Sequence, residues 1–180
     1  MKKTKQLLMV TGKDRPGIIA NVAGILYQHH CNLEDISMTI LEGALAMMLV
    51  VSLDPKKKKT IEQSIRKLGA KADLSCDWKA LKGAASLHAK HDDLYLISAV
   101  GLDHTGIVFQ ISRELSRRKL NIQDLNSQIL GTGPKIIYAM VLEVAVPKHY
   151  PVPALKRSLQ QLGKKLKVDI TVKPVERFEF

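Results

Sequence analysis

The segment Gly12-Lys13-Asp14-Arg15-Pro16-Gly17-Ile18-Ile19, with Asn32 fifteen positions after Gly17, holds the residue types best suited to recognition chemistry in this chain. A guanidinium at Arg15 can make charge-assisted hydrogen bonds to a carboxylate. Asp14 can accept from an ammonium group, and the Asn32 amide can donate and accept at once. Gly17 stands just ahead of an apolar run with helical spacing and lets ligand atoms come close to the backbone. The first N–H groups of that helix, from Ile18 onward, favour an anion by about 0.3–1 kcal/mol at an exposed end. Together Asp14, Arg15, Gly17 and Asn32 offer partners for both a carboxylate and an ammonium group. The same residues also read as a plain strand-to-helix turn, with Asp14 capping the helix and Pro16 at its first position. At this level both readings stand.

The elements that would position these residues emerge from an internal repeat. Gly12 to Ile19 matches Gly101-Leu102-Asp103-His104-Thr105-Gly106-Ile107-Val108 at an offset of 89 residues. The same offset lays Asn32-Leu33-Glu34-Asp35-Ile36 on Asn121-Ile122-Gln123-Asp124-Leu125. After short insertions Pro55-Lys56 falls on Pro147-Lys148, and Leu68-Gly69 on Leu162-Gly163. Four matching segments in the same order mark a duplicated domain, and two copies are too few for a solenoid.

Each copy predicts the same elements. Lys5 to Thr11 and Leu94 to Val100 are short apolar runs closed by glycine, hence strands. Ile18, Val22, Ile25 and Leu26, like Ile107, Ile111 and Leu115, are spaced by three and four, as on one face of a helix. Asn32 to Leu41 and Leu45 to Leu53 flank Glu42-Gly43 as a hairpin, and Asn121 to Leu130 and Lys135 to Val146 flank Gly131-Thr132-Gly133-Pro134. A second helix carries Ile61, Ile65 and Leu68, or Leu155, Leu159 and Leu162, each expected to stop at the following glycine as a C-cap. A last strand lies near Lys71 to Trp78 or Lys167 to Lys173. The fold class is therefore α+β: two ferredoxin-like βαββαβ domains, each an antiparallel sheet with helices on one face. The expected boundaries are 1–79 and 93–180, joined by a linker over 80–92. An uncovered sheet face and free edges favour pairing of the two copies or pairing of chains, and the sequence does not decide between them; where chains pair, a homo-oligomer in the form of a dimer is expected.

On these residues the chain resembles the ACT domain: Gly12-x-Asp14-Arg15-Pro16-Gly17-Ile18-Ile19 followed by Asn32-Leu33-Glu34-Asp35. The duplicated arrangement resembles the glycine cleavage system transcriptional repressors and related tandem ACT proteins. That resemblance implies a small amino-acid effector, glycine or serine first, bound where the strand–helix loop of one unit meets a neighbouring unit. By it Asp14 to Ile18 and Asn32 carry over as ligand-binding residues, and Asp103, His104, Thr105, Gly106 and Asn121 as their counterparts. The second copy departs from the pattern by replacing the Arg-Pro pair with His104-Thr105. The resemblance also implies regulation of a protein partner such as a DNA-binding transcription factor, with no cofactor and no catalysis.

The other chemistry in the chain is thin. A formal charge of +11 would attract polyanions, and a basic nucleic-acid-associated module is the alternative reading. Aromatic residues are only 4%, however, and none interleaves the lysine runs at Lys2 to Lys5, Lys56 to Lys59 and Lys164 to Lys167, so no stacking platform forms and direct nucleic-acid binding is not expected. Thr11-Gly12-Lys13-Asp14 lacks the upstream glycine and the following Ser or Thr of a phosphate loop. His29 and His30 are neighbours on a helix and cannot chelate together, and His88-x-x-His91-Asp92-Asp93 falls in the linker, so no metal is expected. His104 at the Arg15 position reads either as a weaker, pH-sensitive carboxylate partner or as an exposed turn residue. Cys31 and Cys76 have no metal or redox spacing, and Cys31 reads as a small buried hydrophobe. Trp78, Met38, Met47 and Met48 read as core. No apolar run nears the roughly 18 residues of a membrane span, and the N-terminus lacks a signal peptide's core, so a cytoplasmic location is expected.

Overall fold

A computed structural model describes residues 3–81, 92–131 and 136–175. The chain divides into two compact units, Met1–Ala84 and Ala85–Phe180. The first unit runs β1 (Thr4–Lys13), α1 (Ile18–Gln28), β2 (Asn32–Leu41), β3 (Ala44–Leu53), α2 (Lys58–Ala72) and β4 (Leu74–Ala80). The second repeats it as β5 (Asp93–Leu102), α3 (Ile107–Arg117), β6 (Asn121–Leu130), β7 (Ile137–Val146), α4 (Val152–Leu166) and β8 (Val168–Pro174). Each unit is a four-stranded antiparallel sheet, ordered β2-β3-β1-β4 and β6-β7-β5-β8, which is the ferredoxin-like βαββαβ arrangement the sequence predicts.

Alternation along the central strands decides which side chains meet the helices. Leu8 and Val10 of β1 and Leu45, Met47, Leu49 and Val51 of β3 share one core with Ile18, Val22 and Leu26 of α1 and Ile61 and Ile65 of α2. The second unit repeats this with Ile97, Ala99, Met140, Leu142, Val144, Ile107, Ile111, Leu115, Leu155 and Leu159. Of the outer strands, β2 and β6 are covered far less: every residue of β2 is exposed, and every residue of β6 but Ile122. In both β2 and β6 the pairing slips by one residue, between Leu33 and Asp35 and between Ile122 and Asp124.

Three expectations need correction. The glycines that close the second helices do not end them. Both α2 and α4 run three residues past Gly69 and Gly163 and stop at Asp73 and Lys167, which adopt the left-handed conformation (φ 49° and 54°). The glycines are there because the helix lies against the next strand. A Cβ on Gly69 would stand 2.8 Å from the Leu74 carbonyl oxygen, and one on Gly163 2.6 Å from that of Val168.

Second, Pro16 is not the first helical residue. Helix α1 starts at Ile18 behind Gly17, whose φ of 92° only glycine adopts freely, and no side chain caps it, Asp14 included. Third, the methionines do not share one fate. Met47 is 1% exposed, but Met48 is 51% and Met38 43%, since Met48 faces the side of the sheet away from the helices and Met38 lies on the edge strand. Trp78 packs part-buried against the core, as does Cys31. Burial pushes the thiols of Cys31 and Cys76 up, which keeps both protonated and unreactive.

Candidate functional site

The loop Asp14–Gly17 leaves the sheet at the end of β1 and is tied down there: the Asp14 N–H donates to the Gly43 carbonyl at 2.8 Å. Gly43 belongs to the β2–β3 hairpin, where Glu42 and Gly43 both have positive φ (49° and 77°), the signature of a tight two-residue turn. Loop and hairpin together fix the start of α1, and the first intrahelical bond runs from Asn21 N–H to the Gly17 carbonyl at 2.9 Å. The amides of Ile18, Ile19 and Ala20 precede that bond and have no partner within the helix. Helix α1 carries no charged side chain of its own.

Beside this helix end lies a cavity of about 570 Å³, walled by Asp14, Arg15, Pro16 and Gly17 and floored by Ile18, Met38 and Leu45. A cation, an anion and free helix-end amides thus face one apolar surface. Met38 and Leu45 were missed in the sequence reading. They straddle the hairpin turn, and the pairing of β1's last residue Lys13 with β3's first, Ala44, is the signal that carries them to the loop.

Asn32 is not brought to this cavity by its own unit. It lies across from Ser52, which pairs with Lys5, whereas the loop follows Lys13 at the other end of β1. Eight steps of about 3.3 Å separate these two ends of the sheet by roughly 26 Å. Beside Asn32, Glu34 pairs with Lys5, and hydrogen bonds from Lys5 and Ser52 hold its carboxyl below the usual range. Asn121 stands likewise across from Ala145, which pairs with Leu94, far from the loop that follows Leu102.

In the second unit Gly106 repeats the left-handed entry to the helix (φ 98°), and Asp103 N–H donates to the Ile136 carbonyl at 2.9 Å. His104 does something Arg15 does not. Its Nε2 lies 2.6 Å from the Leu166 carbonyl at the end of α4, and its Nδ1 3.0 Å from the Thr105 carbonyl. Carbonyl oxygens only accept, so the doubly protonated ring satisfies both contacts. The bond to the Thr105 carbonyl, then that to Leu166, raises the imidazole's pKa, helped by Asp103 and opposed by desolvation and by Lys167. A raised folded-state pKa adds stability that is fully present below the unfolded imidazole value near 6.5 and is lost as pH rises through the folded value. Thermal unfolding of wild type and His104→Ala across that window should therefore show a stability gap at low pH that closes at high pH.

Among the described residues no three His, Cys, Asp or Glu side chains gather to hold a metal ion, and His88 and His91 lie outside those residues. No helix of the described residues is long and apolar enough to cross a membrane.

The ACT domain family model matches residues 6–79. The UPF0237 protein of Methanocaldococcus jannaschii is 32% identical over 72 residues, which are 37% of this chain and 80% of that one. The UPF0237 protein of Methanopyrus kandleri is 44% identical over 50 residues, 28% of this chain, and the match spans 56% of that relative's length. Two solved structures share the fold along the whole chain. An unknown protein from Galdieria sulphuraria superposes with a TM-score of 0.80 at 24% identity, covering 97% of this chain and 99% of its own. A "putative glycine cleavage system transcriptional repressor" does so with a TM-score of 0.74 at 18% identity, covering 98% and 100%.

Proposed function

The chain belongs to the ACT-domain family of regulatory proteins, and from that premise we propose that it senses a small amino acid and relays its presence to a protein partner. The observation that carries this reading is the cavity of the first unit, where Asp14, Arg15 and the start of α1 stand over Ile18, Met38 and Leu45. The effector's carboxylate takes Arg15 and the free amides, its ammonium takes Asp14, and its α-carbon lies over the apolar floor. Glycine and serine lead as effectors, by analogy with the glycine cleavage repressor whose fold the chain shares. Asn32 joins the site only from a neighbouring ACT unit, since its own loop is a sheet-length away. Binding across such a junction favours one arrangement of units over another, which turns occupancy into a signal for a DNA-binding regulator. The chain acts in the cytoplasm as a homodimer in this reading.

Calorimetry with a panel of amino acids led by glycine and serine tests it. At least one should bind, and Arg15→Ala should weaken that binding about 10- to 100-fold, the worth of a hydrogen bond to a charged group. No heat from any amino acid sinks the sensor reading. A steeply salt-dependent association with generic DNA in its place would favour a polyanion-binding module.

A further inference from the structure

Arg15 lies between two cavities, and only one of them contains Asp14. The other is a cleft of about 260 Å³ between the β1–α1 loop and the end of α2. Its polar lining residues are Arg15, Asn21 and Lys71, over Ile18, Leu68 and Leu74. No carboxylate lines it. Among the described residues neither Arg15 nor Lys71 belongs to an ion pair.

The second unit offers a comparison at three of these positions. Where Arg15 stands free, His104 reaches the Leu166 carbonyl at the end of α4. Where Asn21 is uncommitted, the Gln110 side-chain oxygen Oε1 accepts from Arg113 at 2.7 Å. Where the small Ala72 lines the cleft, the chain has Leu166. The lining of the cleft therefore differs between the copies at three positions, while the cation at Lys71 is matched by Lys165.

We infer that this cleft is a second ligand site, specific to a small monocarboxylate with a short apolar body and no ammonium group, a 2-oxo acid in chemical class. Two cations and an amide donor match a carboxylate and the adjacent keto oxygen. An α-ammonium group would meet Lys71 and Arg15 with no acidic partner, so an amino acid of the same skeleton is rejected by like charge. At about 30 Å³ for each water-sized group, the volume holds a solute of about nine non-hydrogen atoms, and the floor of Ile18, Leu68 and Leu74 suits a branched aliphatic end. The inference is separable from the amino-acid reading, since Asn21 and Lys71 lie outside the cavity that contains Asp14.

Calorimetry on the full chain with 4-methyl-2-oxopentanoate and with leucine, which differ at the keto and ammonium positions, tests it. The oxo acid should bind, and Lys71→Ala and Asn21→Ala, both exposed positions, should each weaken it about tenfold. Asp14→Asn should weaken any bound amino acid without weakening the oxo acid. Leucine should show no Lys71-dependent binding. The inference is overturned if the oxo acid fails to bind, if Lys71→Ala and Asn21→Ala leave its affinity unaltered, or if leucine binding falls equally in Lys71→Ala. Silence across the amino-acid panel alongside a Lys71-dependent oxo-acid isotherm would remove the amino-acid reading and leave this one standing.

Discussion

Gly163→Ala is expected to lower the unfolding free energy by about 1–3 kcal/mol, the range for forcing extra atoms into a packed interior. The sign is what makes the experiment informative. Alanine is the better helix former by nearly 1 kcal/mol, and position 163 is well inside α4, so propensity alone predicts a gain. Against it stand the Val168 carbonyl oxygen, 2.6 Å from where the new Cβ would sit, and Ile170 Cγ1 at 3.1 Å. The carbonyl belongs to β8, which is paired with β5, so it cannot turn aside without breaking the sheet. Gly69→Ala should behave alike, 2.8 Å from the Leu74 carbonyl oxygen. Gly24→Ala in α1 is the matched control: nothing lies within 4 Å of its Cβ, and it should stabilise by about 0.5–1 kcal/mol. Urea denaturation of the three variants reads all of this, and a stabilised Gly163→Ala would mean that helix and strand are not in contact there.

Met47→Ala should cost about 2–5 kcal/mol, and its neighbour Met48→Ala no more than about 0.5 kcal/mol. Met47 is 1% exposed between β3 and the helices, so truncation removes its contacts and leaves a cavity that the surrounding core only partly fills. Met48 is 51% exposed on the opposite face of the same strand, where water already takes up most of its surface. Equal losses in the two variants, by the same denaturation, would mean that the outer face of the sheet is covered.

That pair of methionines also shows where the sequence stopped being informative. The repeat and its eight strands and four helices were legible because burial between helices and a central strand imposes spacing, and Ile18, Val22 and Leu26 keep it. Alternation says that Met47 and Met48 face opposite ways, but not which face is covered. An edge strand such as β2, with Leu33, Ile36, Met38 and Ile40 each about two-fifths exposed, breaks the link between apolar character and burial. Gly69 and Gly163 misled because a glycine late in a helix permits either a left-handed stop or a close approach, and the second depends on a strand the local pattern does not see. At the candidate site, Asp14, Arg15 and Gly17 were legible as residue types. What they face was not, since Met38 and Leu45 arrive through sheet pairing and His104 meets a carbonyl 62 residues away.

The one-residue slips in β2 and β6 have a consequence for what these proteins do when crowded. An outer strand of ten residues with an apolar row and unpaired backbone groups is a template on which further chains could stack into fibrils. The extra residue, Glu34 in one copy and Gln123 in the other, bends each strand and leaves a straight run of only seven residues, Asp35 to Leu41 and Asp124 to Leu130. It also pins the alignment, because sliding β2 along β3 would have to carry the bulge with it. Each unit thereby holds its outer strand in a single register, and the bulge that sets it falls at the same point in both copies.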